Sequence, residues 1–122
     1  MRTRVSTLLL AKPGALRDSL VVLLMSLPQV ATVKLADNAA SALSMVETHR
    51  PALVLLDLGL SGGQSWNLLR QIRRRWPHIQ CVVLVDNVQH LQQAEAEGAT
   101  KALLKGYPAA KLSVTIERML YS

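Results

Sequence analysis

Pro51-Ala52-Leu53-Val54-Leu55-Leu56-Asp57-Leu58-Gly59-Leu60-Ser61-Gly62-Gly63 runs from an apolar segment through one carboxylate into a loop. Five consecutive apolar residues, Ala52 to Leu56, fit a strand buried on both faces, and the glycines and serine beyond them force the chain to turn. An aspartate at the tip of such a strand stands where open α/β sheets place their chemistry, outside the carboxyl ends of the strands. Asp57 is therefore either the centre of a site or simply a turn or capping residue, and the remaining chain has to distinguish the two.

The 122 residues suffice for one domain with a single core, 1–122, and are too few for two. Half of them are hydrophobic, which excludes a disordered chain. The single cysteine, Cys81, lies in the apolar run Cys81-Val82-Val83-Leu84-Val85 and reads as a small core filler, which points to a reducing, cytoplasmic setting. Arg2 and Arg4 precede an apolar run, but Lys12-Pro13 stands where a signal peptide would have its cleavage site. Leu20 to Leu27 falls well short of the ~20 residues a membrane span needs, so no membrane association is expected.

The formal charge of +6 raises a nucleic-acid partner as a question. Much of that charge sits in Arg70-Gln71-Ile72-Arg73-Arg74-Arg75-Trp76, where Arg70, Arg73 and Arg74 share one helical face. Cations near a helix C-terminus suit its dipole and need no partner. Aromatic residues make up only 3% of the chain, too few for a base-stacking platform. Nucleic acid is not the expected partner, although the Arg70/Arg73/Arg74 face keeps a basic binding module open as an alternative.

Apolar runs and helical periods alternate five times. Val5 to Leu10 reads as a first strand, followed by Pro13-Gly14 and a helix bearing Leu16, Leu20, Leu23, Leu24 and Leu27 until Pro28 stops it. Val30 to Ala36 alternates as an edge strand would, with Val33 and Leu35 set against Thr32 and Lys34. Asp37 or Asn38 can cap a second helix carrying Ala39, Leu43 and Val46 inward. A third helix runs through Trp66, Leu69, Ile72 and Trp76 to Pro77. Ile79 to Val85 is the fourth strand, and Asp86-Asn87 its turn and cap. The helix from Val88 to Glu97 has few large apolar residues and should be the least firmly held. Lys101 to Leu104 forms a short fifth strand with Lys105 at its tip, and Pro108 opens a last helix with Leu112, Ile116, Met119 and Leu120 inward.

Strict β/α alternation with short connections requires a parallel sheet covered on both faces by helices, an α/β (βα)5 three-layer sandwich. It brings Ala11, Lys12, Asp57, Val83 to Asp86 and Lys105 to one rim.

With these residues in place the chain resembles the receiver domain of two-component response regulators. Leu53-Val54-Leu55-Leu56-Asp57-Leu58 matches the segment holding the family's phosphoacceptor aspartate. Gly98-Ala99-Thr100-Lys101-Ala102-Leu103-Leu104-Lys105 matches the segment holding its lysine. The resemblance implies a flavodoxin-like fold with strand order 2-1-3-4-5, phosphoryl transfer to Asp57 from a histidine kinase or a phosphotransfer protein, and contact of Lys105 with the phosphoryl oxygens. It implies a signalling protein and not an enzyme.

Several positions depart from the family pattern. Ala11 and Lys12 stand where two acidic residues would hold Mg²⁺, and valine, Val83 or Val85, replaces the hydroxyl after strand four. Ala102 occupies the aromatic switch position, Gly106 follows the lysine in place of proline, and Ser61 also replaces a proline. The pocket residues are Ala11, Lys12, Gly59, Val83, Val85 and Asp86; Asp57 with Lys12 and Lys105 would carry about +1 where the family has about −2, and each unit charge at ~4 Å is worth ~4 kcal/mol at an effective dielectric of ~20. Mg²⁺ wants more than one carboxylate, so no cofactor is expected and a metal is disfavoured.

Three readings follow. The domain is a pseudo-receiver, weak or silent in Mg-dependent phosphorylation and acting through protein–protein contact. Alternatively it is a working phosphoacceptor in which Lys12 and Lys105 replace the metal, or the basic module described above. Asp86 either caps the fourth helix or supplies a replacement carboxylate. The expected partner surface comprises the fourth helix, fifth strand and last helix, through Leu91, Ala102, Tyr107 and Lys111, with a downstream protein or a second copy as occupant. No Gly-x-Gly-x-x-Gly or Walker pattern follows any strand, and His49, His78 and His90 are scattered.

Overall fold

The computed structural model describes residues 4–59 and 63–120; Ser61 lies outside them. Five strands and five helices alternate: β1 (Val5–Leu10), α1 (Ala15–Met25), β2 (Val30–Ala36), α2 (Ala39–His49), β3 (Leu53–Asp57), α3 (Gln64–Arg75), β4 (Gln80–Val85), α4 (Val88–Ala96), β5 (Lys101–Leu104) and α5 (Ala109–Leu120). The strands form one parallel sheet in the order β2-β1-β3-β4-β5, as the resemblance implies.

Period-two alternation along the strands sorts their side chains between two cores. Leu53 and Leu55 face α1 and α5, with Leu24 and Ile116. Val54 and Leu56 face α2, α3 and α4, with Val46, Leu69 and Ile72. Every residue of β3 is buried, because this strand lies in the middle of the sheet with helices on both sides. Edge strand β2 is less regular than its pattern suggests: Leu35 is exposed, and the strand buries only Val30 and Ala36 at its ends.

The caps divide sharply between neighbouring residues. Asn38 accepts a hydrogen bond from the Ser41 amide at 2.8 Å and caps α2, while Asp37 pairs with Arg17 at 2.8 Å. Asn87 likewise caps α4, accepting from the His90 amide at 2.8 Å. That leaves Asp86 outside the cap. Helix α4 buries only Ala94, in keeping with its polar sequence.

Cys81 is a buried free thiol, pushed up to about 11 by burial against the opposing pull of Arg73. Within the described residues no helix is long and apolar enough to cross a membrane.

Candidate functional site

Parallel pairing brings the carboxyl ends of β3, β4 and β5 side by side. Asp57 is in register with Leu84, the Leu58 amide donates to the Leu84 carbonyl, and the Lys105 amide donates to the Val85 carbonyl at 2.8 Å. Val85 is thus the last residue of β4, next to Asp86, and Val83 lies two residues back in the core. Val85 is fully buried in that same core, so neither valine side chain is among those that meet at the rim.

Three charged side chains meet at that rim. The Lys105 ammonium lies 2.8 Å from Oδ1 of Asp57 and 3.0 Å from Oδ1 of Asp86. The Gly59 amide also donates to Oδ1 of Asp57, at 2.9 Å. Asp57 is only 4% exposed, whereas the side chains of Lys105 and Asp86 are 29% and 52% exposed, so the group grades from core to solvent. Burial alone would lower the Lys105 pKa, but hydrogen bonds and attraction from Asp57 and Asp86 outweigh it and hold the ammonium above the ordinary lysine value.

This geometry overturns the expected position of Lys12. Its side chain is exposed and forms no ion pair with Asp57 among the described residues, because β1 ends at Leu10 and Ala11 takes the inward place against the α1–α5 core. The charged groups in direct contact at the rim are therefore two carboxylates and one ammonium, a sum of −1, where Asp57 with two lysines, a sum of +1, was expected. Asp86, expected as either a cap or a replacement carboxylate, is a carboxylate of the site.

The expected partner residues do not form one patch. Ala102 is buried beside Ala94 and is unavailable for contact, since alternation along β5 turns it into the α2–α4 core. Leu91 packs partly buried on that same side. Tyr107 packs on the opposite core, where it helps line a cleft of about 110 Å³ with Leu20, Leu23, Leu104 and Leu112, while Lys111 is exposed.

The basic face of α3 is largely engaged within the chain. Arg70 pairs with Glu97 at 2.6 Å, Arg73 donates to the Ile79 carbonyl, and Arg75 pairs with Glu47 at 2.9 Å while stacking on Trp76. Only Arg74 of the three expected arginines lacks an intramolecular partner among the described residues.

Residues 14–117 match the family model described as the response regulator receiver domain. The chain belongs to the response regulator receiver family. No curated protein matches it. Among solved structures, NtrX from Brucella abortus, determined in complex with ADP, is similar at 25% identity and a TM-score of 0.83, over 97% of this receiver but only 26% of that chain. A LuxR-family two-component response regulator from Aurantimonas sp. SI85-9A1 is 22% identical, with a TM-score of 0.85 over 97% of this receiver and 86% of that chain. The signal receiver domain of a DNA binding response regulator from Colwellia psychrerythraea 34H is also 22% identical, at 0.85 over 96% and 98%. This receiver therefore spans about a quarter of the first of these chains. Membership places it in two-component signalling, where receiver domains interact with kinases, phosphotransfer proteins or downstream effectors.

The family's magnesium site calls for clustered carboxylates, and the donor set of this receiver does not match it. The end of β1 offers Ala11 and Lys12, and the two carboxylates at the rim are both engaged by Lys105. Among the described residues no group of three or more His, Cys, Asp or Glu side chains converges in a way that could hold a metal ion.

Proposed function

We propose that the protein is a receiver whose acceptor position, Asp57, is weak or silent toward metal-dependent phosphorylation, and which signals by contact with other proteins and not by catalysis. The observation that carries this reading is the double engagement of Lys105 by Asp57 and Asp86, at a rim whose β1 end contributes no carboxylate.

In the transfer itself, a carboxylate oxygen of Asp57 would attack the phosphorus of a phosphohistidine. An O–P bond forms, the P–N bond breaks, and the imidazole nitrogen leaves with the electron pair. Lys105 is close enough to Asp57 to offset charge on the phosphoryl oxygens, but its charge is already shared between two carboxylates. Phosphoryl transfer is catalysed mainly by positioning and charge neutralisation, so a site short of positive charge is slow.

The reading in which Lys12 and Lys105 together replace the metal loses Lys12, which is exposed. A nucleic-acid module draws less support from α3 than its sequence suggests, since Arg70 and Arg73 are engaged within the chain. Upstream, the fitting partner is a histidine kinase or phosphotransfer protein, and downstream an effector protein.

Incubation with a small phosphodonor and Mg²⁺, followed by intact mass, tests the proposal. Slow or absent modification is expected. Rapid, Mg-dependent gain of one phosphoryl group, abolished by Asp57→Asn, overturns it.

A further inference from the structure

We infer that Asp86 is a built-in competitor for Lys105, a carboxylate of the chain itself that occupies the ammonium an anionic group at Asp57 would need. The inference rests on reading Asp57 as the acceptor position and specifies how that position is restrained.

Three observations converge on Asp86. Asn87 supplies the cap of α4, so the Asp86 carboxylate is not consumed by the helix N-terminus. The backbone bond from the Lys105 amide to the Val85 carbonyl fixes the chain at Lys105 beside the residue preceding Asp86, and the two side chains meet at 3.0 Å. All three charged groups also crowd the same space. A Cβ at Gly59 would lie 2.9 Å from Oδ2 of Asp86 and 3.2 Å from Oδ1 of Asp57, and would collide with Nζ of Lys105.

A phosphoryl group carries about −1.5 to −2 charges at neutral pH. Arriving here, it meets one ammonium and an additional carboxylate that both repels it and holds that ammonium. The Asp86 side chain is 52% exposed, so water and salt screen its hold on Lys105. The restraint is therefore a threshold that a sufficiently strong or well-placed anion overcomes, and it is absent wherever position 86 is neutral.

The test uses the full chain and inorganic phosphate as probe, with the Gly59 amide followed by NMR at low ionic strength. Asp86→Asn preserves size and removes charge, and Asp86→Ala removes the remaining hydrogen-bonding group. Both variants should bind phosphate roughly tenfold more tightly than the parent, equivalent to about 1.4 kcal/mol. The gain should shrink in high salt and vanish when Lys105→Met is added. Equal binding in parent and variants, undetectable binding in all of them, or a gain that survives Lys105→Met overturns the inference. Intact mass after treatment with a small phosphodonor separates this from the acceptor reading. Tighter phosphate binding by the variants alongside rapid, Mg-dependent modification of the parent sustains the inference and overturns the proposed function. Slow or absent modification without a phosphate gain does the reverse.

Discussion

Gly59 and Lys105 approach so closely that no side chain fits at position 59 without displacing the lysine ammonium. The atoms a new Cβ would strike, Nζ of Lys105 and Oδ2 of Asp86, are the ends of flexible side chains, so the backbone can stay in place. Gly59→Ala should consequently change stability by less than about 1 kcal/mol while separating Lys105 from its carboxylates. Nitrogen NMR of the lysine side chains should show the Lys105 pKa falling back toward its ordinary value. A large loss of thermal stability with an unchanged Lys105 titration would contradict the geometry.

Asp57 and Lys105 differ in burial, and removing either should not cost the same. Lys105→Met strands a buried carboxylate without its counter-charge, whereas Asp57→Asn leaves Lys105 partly in water and still paired with Asp86. Breaking a fully buried pair costs about 3 to 5 kcal/mol, and the partial exposure of Lys105 places Lys105→Met nearer 2. Urea denaturation of the two single variants and the double variant forms a cycle in which Asp57→Asn should partly restore the Lys105→Met protein. Full additivity would mean that the two groups do not interact.

Cys81 makes stability depend on pH in the alkaline range. Burial raises its thiol from 9.0 to about 11, so the folded chain holds a proton that the unfolded chain releases. Its contribution is fully present below pH 9.0 and is lost as pH rises through about 11, a total of about 2 to 3 kcal/mol. Urea denaturation at pH 8 and pH 11 should show a smaller fall in Cys81→Ala than in the parent. The raised Lys105 pKa acts in the same direction at higher pH, its stabilisation being complete below the ordinary lysine value and lost above the raised one.

Adjacent residues at the start of α4 should behave differently. Asn87→Ala removes the side chain that caps the helix and should cost about 1 kcal/mol. Asp86→Asn touches only an exposed ion pair and should cost less than about 0.5 kcal/mol. Thermal melts followed by circular dichroism measure both, and the opposite ranking would assign the cap to Asp86.

The amino-acid sequence by itself determined the architecture. Switching between apolar runs and 3.6-residue periods marks each strand and helix, and strict alternation leaves a parallel sheet covered on both sides as the solution. Asp57 and Lys105 were legible as rim residues for the same reason, since each stands at the end of an apolar run. The tertiary structure alone decided which side chains meet there. Periodicity constrains a side chain only while the chain is a strand or helix, and Lys12 and Asp86 both lie just past a strand end, where the local turn sets direction. At β1 the turn sends Lys12 into solvent; at β4, with Asn87 taking the cap, it leaves Asp86 against Lys105. Two residues that look alike in a linear reading thus have opposite relations to the acceptor, because contact depends on register across three strands that are distant in sequence.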